Sequence, residues 1–218
     1  MSDTPLRIAV FASGSGSNLE AILKAIEDGS LTNTSVVAVI SNKSQARALQ
    51  RAKNRDIRAV HLSPSHFEDE TDYLEALQEV LQTERVNFIA LAGYLKKIPL
   101  ALVREYKGRM LNIHPSILPA FGGAGMYGIK IHKAVLERGV RWTGVTIHFV
   151  DEDYDTGPIL LQKPVPVHTN DTAESLASRV LAVEHRIYPA ALQLCAEGRV
   201  TVQDRKVTID PAIPKKSQ

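Results

Sequence analysis

Short apolar, β-branched runs alternate along this chain with segments of helical period, and few architectures accommodate that rhythm. "RIAVFAS" (7–13) precedes "NLEAILKAIEDG", "SVVAVIS" (35–41) precedes "SQARALQRAKNRD", and "RAVHL" (58–62) precedes "FEDETDYLEALQEVLQTERV". Strands separated by helices are joined by right-handed crossovers and pair in parallel. "NFIALAGYL" (87–95) supplies a fourth strand, apolar enough for burial on both faces. A short helix in "PLALVREYKGR" leads to a fifth, "MLNIH" (110–114).

Beyond residue 120 the pattern changes. "FGGAGMYG" (121–128) has four glycines in eight positions and reads as a loop or lid, followed by a short helix "HKAVLERG". Two strand-like runs, "WTGVTIHFV" (142–150) and "GPILLQKPVPV" (157–167), then flank the acidic "DEDYDT" with no helix between them, so they are expected to pair antiparallel. A long helix over about 172–197 closes the core, and "RVTVQDRKVTI" (199–209) reads as a hairpin. The expected fold is α/β, a mostly parallel twisted sheet with helices on both faces and an antiparallel edge. It forms one domain over 1–218, with frayed ends near 1–5 and 211–218.

Composition narrows the partners. With 26 basic and 24 acidic residues the net charge is +2, too little surplus to favour nucleic acid. The lone cysteine, Cys195, sits in the helical "ALQLCAEG", which fits a reducing compartment and a cytoplasmic location. No secretory segment opens the chain and no run of ~18 apolar residues could span a membrane. The histidines show no metal-ligand spacing, so no metal is expected.

Two motifs point to chemistry. In "SGSGSNLEA" (13–21), Gly14 and Gly16 match the start of a dinucleotide fingerprint, but Leu19 replaces its third glycine and "VISNKS" lacks the ribose-binding acid. The loop also lacks the lysine of a nucleoside-triphosphate site. Gly16, Ser17 and Asn18 remain candidates for holding a terminal phosphate at a helix N-terminus. A plain capping box, Ser17 with Glu20, is the simpler reading, and the two are compatible.

The second motif is "LNIHPS" (111–116). Alternation along a strand puts Asn112 and His114 on one face, and Pro115 ends the strand there. Open α/β sheets bind ligands at that end. An amide and an imidazolium aimed at one oxygen are what acyl transfer requires. A carboxylate would keep the imidazole protonated; Asp155, beside Gly157-Pro158, is the best placed, although an acidic turn in solvent explains it as well. His148 shares a strand face with Thr146 and either supports the site or is structural. Glu184 lies on the apolar stripe of the long helix, where a carboxylate needs either a ligand or an internal partner.

"SGSGSNLEAI", "LAGYLKKI", "LNIHPSILPAF", "GVTIHFVDEDYDTGPILLQ" and "AVEHRIYP" together resemble the phosphoribosylglycinamide formyltransferase family of the folate-dependent formyltransferase superfamily, over about residues 6–205. The resemblance implies a Rossmann-like formyltransferase fold. It also implies two small-molecule substrates, 10-formyltetrahydrofolate as formyl donor and phosphoribosylglycinamide as acceptor, in purine synthesis. Asn112, His114 and Asp155 match the catalytic residues, with Gly16, Ser17 and Asn18 on the substrate phosphate and Glu184 on its ribose. Leu95, Lys96, Lys97, Ile98 and Asn112 match the folate site. Monomer and homodimer are both left open. The competing readings are a formyltetrahydrofolate hydrolase, a methionyl-tRNA formyltransferase and a non-catalytic phosphometabolite-binding module.

Overall fold

A computed structural model of the chain describes residues 4–211. In chain order its elements are β1 (Leu6–Phe11), α1 (Ser17–Glu27), β2 (Thr34–Ser41), α2 (Arg47–Lys53), β3 (Arg58–His61), α3 (Glu70–Thr83), β4 (Phe88–Leu91) and α4 (Leu100–Glu105). There follow β5 (Met110–His114), α5 (Ile129–Glu137), β6 (Trp142–Phe149), β7 (Ile159–Pro166), α6 (Ala173–Ala196) and the hairpin strands β8 (Val200–Gln203) and β9 (Lys206–Ile209). The main sheet has the order β3-β2-β1-β4-β5-β6-β7, and β8-β9 pair separately. The first five strands of this sheet pair in parallel, whereas β6 runs antiparallel to both β5 and β7. The expected mixed sheet is therefore present.

Alternation along the parallel strands divides the core between the two faces. Ile8 and Val10 of β1 join α1, α2, α5 and α6 on one side, while Ala9 and Phe11 pack with Tyr73, Leu77 and Leu102 of α3 and α4 on the other. Proline suits β7 because that strand lies at the sheet edge, where Pro164 and Pro166 cost few ladder bonds. The strand order reverses between β1 and β4, which opens a crevice at their carboxyl ends.

Two boundaries depart from expectation. β4 ends at Leu91 rather than Leu95, because the next residues bond across the crevice instead of extending the ladder: Ser13 N–H donates to Gly93 O at 3.1 Å and Leu95 N–H to Ser13 Oγ at 2.8 Å. α5 starts at Ile129, three residues before the run first read as helical. The frayed ends expected near 1–5 and 211–218 lie largely outside the described residues, and within them the Pro5 carbonyl accepts from Asn87 at 2.9 Å.

Candidate active site

The turn after β1 passes directly over α2. A Cβ on Gly16 would lie 2.8 Å from both Cα and Cβ of Ala48, and Gly16 has φ +69°, so only glycine fits. Gly16 caps α1 without any side-chain cap. The capping-box reading of Ser17 and Glu20 is thus corrected: Glu20 instead pairs with Arg51 at 2.6 Å and Arg55 at 2.9 Å, so the two guanidinium groups take the carboxylate away from the helix end. The first helical bond is Glu20 N–H to Gly16 O. The amides of Ser17, Asn18 and Leu19 precede it and point along the helix dipole into the crevice.

At the other side of the crevice, β5 carries Asn112 and His114 opposite His148 and Thr146 of β6. Asp155 reaches them from the β6–β7 loop. That loop is tied down by a close approach, since a Cβ on Gly157 would lie 1.8 Å from the Phe149 carbonyl oxygen. Asp155 Oδ2 lies 3.5 Å from His114 Nδ1 and accepts from Gly123 N–H at 2.9 Å. Its Oδ1 lies 3.4 Å from Asn112 Nδ2 and 3.5 Å from His148 Nε2. The sequence-predicted trio therefore meets around one carboxylate.

Hydrogen-bond partners define the ring tautomers. His148 Nδ1 faces the Phe149 carbonyl at 2.8 Å and must donate to it, which leaves Nε2 to accept from Asn112 Nδ2 at 3.0 Å. That bond turns the Asn112 amide with its hydrogens toward Asp155. His114 Nε2 donates to the Phe121 carbonyl at 2.8 Å, so its Nδ1 is the nitrogen facing the carboxylate. The contacts from Asn112 Nδ2 and His114 Nδ1 to Asp155 are both long, and Nδ1 donates only when the ring is protonated.

Burial complicates the charges. His114 is only 4% exposed, and that burial pulls its pKa below the ordinary histidine value; Asp155 and the Phe121 carbonyl act to raise it, and His148 adds to the lowering. Burial thus works against the charged ring that the carboxylate favours. Burial pushes the Asp155 carboxyl up, but the His148 ring, the charge of His114 and the Gly123 amide outweigh it and hold the group below the usual carboxylate range. Asp155 is ionised at neutral pH.

Glu184 is 8% exposed and accepts from Asn18 Nδ2 at 2.6 Å. Among the described residues it makes no ion pair; burial raises its pKa and the Asn18 bond only partly offsets this. Asn18 Oδ1 is buried with no hydrogen-bond partner among the described residues, so this corner holds both an acceptor and a carboxylate that a hydroxyl-bearing ligand could satisfy. Leu95, Lys96 and Lys97 are exposed at the crevice mouth, with Lys97 Nζ 5.9 Å from the Tyr154 ring centre, and Ile98 is buried beneath them. All the candidate residues line one cavity of about 600 Å³.

Four further groups at or beside the cavity carry no sequence signature. The Phe121 carbonyl and Gly123 amide are backbone groups, silent in any side-chain pattern. Ser13 and the buried His132 also went unnoticed, one as an ordinary strand-end serine and the other as a lone helical histidine. Only the place of His132 in a short helix after the glycine loop could have marked it.

Comparisons with known proteins agree with this geometry. A family model described as formyl transferase matches residues 6–192. The chain is 48% identical over 89% of its length to a chloroplastic phosphoribosylglycinamide formyltransferase of Vigna unguiculata, and 47% identical over 89% to that of Arabidopsis thaliana. It spans 62% and 66% of those two relatives. The crystal structure of glycinamide ribonucleotide transformylase 1 from Symbiobacterium toebii superimposes with a TM-score of 0.89 at 41% identity, covering 96% of each chain. A match over most of the chain, with the strand-end pair and the acidic loop brought together as such chemistry needs, leads to one conclusion: this chain belongs to the formyl transferase family.

Proposed function

We propose that the chain, acting as a single formyltransferase domain, transfers the formyl group of 10-formyltetrahydrofolate to the primary amine of 5′-phosphoribosylglycinamide in purine synthesis. The observation that carries this reading is the meeting of Asn112, His114 and Asp155 at one cavity that also holds an anion cradle. The phosphate would rest on the amides at 16–18 and the ribose hydroxyls would donate to Glu184. The pterin would enter along Leu95–Ile98. The similarly named plant and bacterial relatives support the same substrates.

In the reaction, the amine lone pair attacks the formyl carbon and the carbonyl π electrons move onto oxygen. Asn112 Nδ2 and His114 Nδ1 are the donors nearest that developing charge. Burial disfavours the charged His114 ring, and negative charge growing beside it favours that ring, so its stabilisation is greatest in the transition state. Asp155 favours the same charged ring. Collapse of the tetrahedral adduct breaks the bond from carbon to the folate nitrogen, and the amine's proton passes by way of the His114–Asp155 pair to that departing nitrogen. No covalent enzyme intermediate is required. His148 acts indirectly, by fixing the Asn112 amide.

Among the described residues no cluster of three or more His, Cys, Asp or Glu side chains could hold a metal ion. No helix of the described residues is long and apolar enough to cross a membrane. Burial pushes the Cys195 thiol up to about 12, an inert group consistent with the cytoplasm we favour. Assay of the purified chain with 10-formyltetrahydrofolate, with and without phosphoribosylglycinamide, tests the proposal. Turnover that depends on the amine is expected; deformylation without it would identify a hydrolase instead.

A further inference from the structure

The anion cradle follows β1 and the segment 95–98 follows β4, and a buried side chain joins them. Ser13 is 2% exposed and stands where the strand order reverses. Its hydroxyl donates to Asn42 Oδ1 at 2.5 Å and accepts from the Leu95 amide at 2.8 Å. Both capacities of the hydroxyl are used, and their direction is set: the Asn42 carbonyl takes the proton, which turns the lone pairs toward Leu95.

The two sides of this link do not depend on it equally. The cradle has other anchors, since Ala48 N–H donates to Gly14 O at 3.2 Å, Arg51 Nε donates to Ser15 O at 2.9 Å, and Gly16 packs on Ala48. Ser13 also donates its own amide to Gly93 O, a bond that any residue at this position could make. The Leu95 amide instead relies on the serine hydroxyl. Beyond Leu95 come the exposed Lys96 and Lys97 and the buried Ile98, all lining the cavity.

We infer that Ser13, oriented by Asn42, is a positioning residue for the second substrate: although it lies on the strand that carries the anion cradle, its hydroxyl sets where the segment 95–98 stands. This rests on the proposed assignment of that segment to the folate. The consequence is an uneven effect on the two ligands. Losing the hydroxyl frees the 95–98 segment from its register while the cradle keeps its own supports.

Binding measured separately for each ligand, by calorimetry on the full chain, tests this without relying on turnover. The probes are 5-formyltetrahydrofolate, whose formyl group sits on a nitrogen unsuited to transfer, and phosphoribosylglycinamide. In Ser13→Ala the folate Kd is expected to rise about tenfold, the size of one to two lost hydrogen bonds, with the phosphoribosyl Kd changed by less than about threefold. Asn42→Ala, which keeps the serine but removes its acceptor, should shift the folate Kd in the same direction by a smaller factor. Asn42→Asp retains an acceptor oxygen and should restore it. The asparagine pair keeps the test open should Ser13→Ala fold poorly. Equal weakening of both ligands, or an Asn42→Asp chain as impaired as Asn42→Ala, would overturn the inference while leaving the proposed function intact. Absence of folate binding by the unaltered chain would overturn both.

Discussion

Asp155 approaches His114 Nδ1 to 3.5 Å from a loop of the antiparallel edge, whereas His114 ends the last parallel strand. The proposed catalytic centre therefore lies where the two halves of the sheet join. A carboxylate delivered by the antiparallel extension converts a strand-end imidazole into a group that can gain and release a proton. Four expectations follow from the way this junction is built.

Replacing His114 with Ala removes a donor to the developing oxyanion, and the same holds for Asn112→Ala. Each is expected to lower kcat by about 10²–10³, the usual loss for one such donor. Affinity for phosphoribosylglycinamide should stay within a few fold, because the cradle lies on another strand. Steady-state kinetics with direct binding checks this, and equal collapse of binding and turnover would contradict the assignment.

Asp155→Asn removes the charge that does most to raise the His114 pKa, leaving only the Phe121 carbonyl to oppose burial. The imidazole should titrate further below its ordinary value of about 6.5. NMR titration of the ring protons reads this directly; an unchanged or higher value would show that the carboxylate does not govern the ring.

Glu184 is a buried carboxylate whose pKa is raised, so the stability it lends is full below the unfolded value near pH 4.3 and is lost as pH rises through its folded pKa. At neutral pH the ligand-free fold carries that cost. Glu184→Gln keeps the shape and removes the charge, and should stabilise the empty protein by ~1 kcal/mol while weakening phosphoribosylglycinamide binding. Urea denaturation at pH 5 and pH 8, alongside calorimetry, separates the two effects. A variant less stable at pH 8 with unchanged binding would remove Glu184 from the site.

Acid should destabilise the fold in two stages. Burial lowers the pKa of His114, His132 and His185, so a cost appears as pH falls through the unfolded histidine value of about 6.5 and is complete below their folded values. Asp171, held low first by its Arg179 hydrogen bonds, and Asp155 contribute stability present above about pH 4 and lost as pH falls through their lower folded values. A denaturation midpoint that rose steadily from pH 7 to pH 4 would contradict this.

Much of this architecture is legible in the residues themselves. The alternation of strand and helix periods is a strong signal because burial on two faces forces it, and Asn112 and His114 share a face by strand geometry alone. The bonds that terminate elements are less visible. β4 stops early because Ser13 captures the Leu95 amide, a contact between residues 82 positions apart that no local pattern encodes. Ser17 and Glu20 have the spacing of a capping box, but Arg51 of the next helix and Arg55 just beyond its end hold the carboxylate. The balance of charges at His114 is hidden from the sequence for a related reason. A neighbouring acid can be guessed from sequence, but the depth of burial that opposes it depends on how the Phe121 loop closes over the ring.

The most direct test is a crystal structure with a stable tetrahedral mimic that joins a phosphoribosylglycinamide-like portion to a folate-like portion through a hydroxylated carbon. The hydroxyl standing for the formyl oxygen should lie about 3 Å from both Asn112 Nδ2 and His114 Nδ1, with the phosphate against the amides at 16–18. A hydroxyl pointing away from those two nitrogens, or a phosphate bound elsewhere in the cavity, would contradict the account.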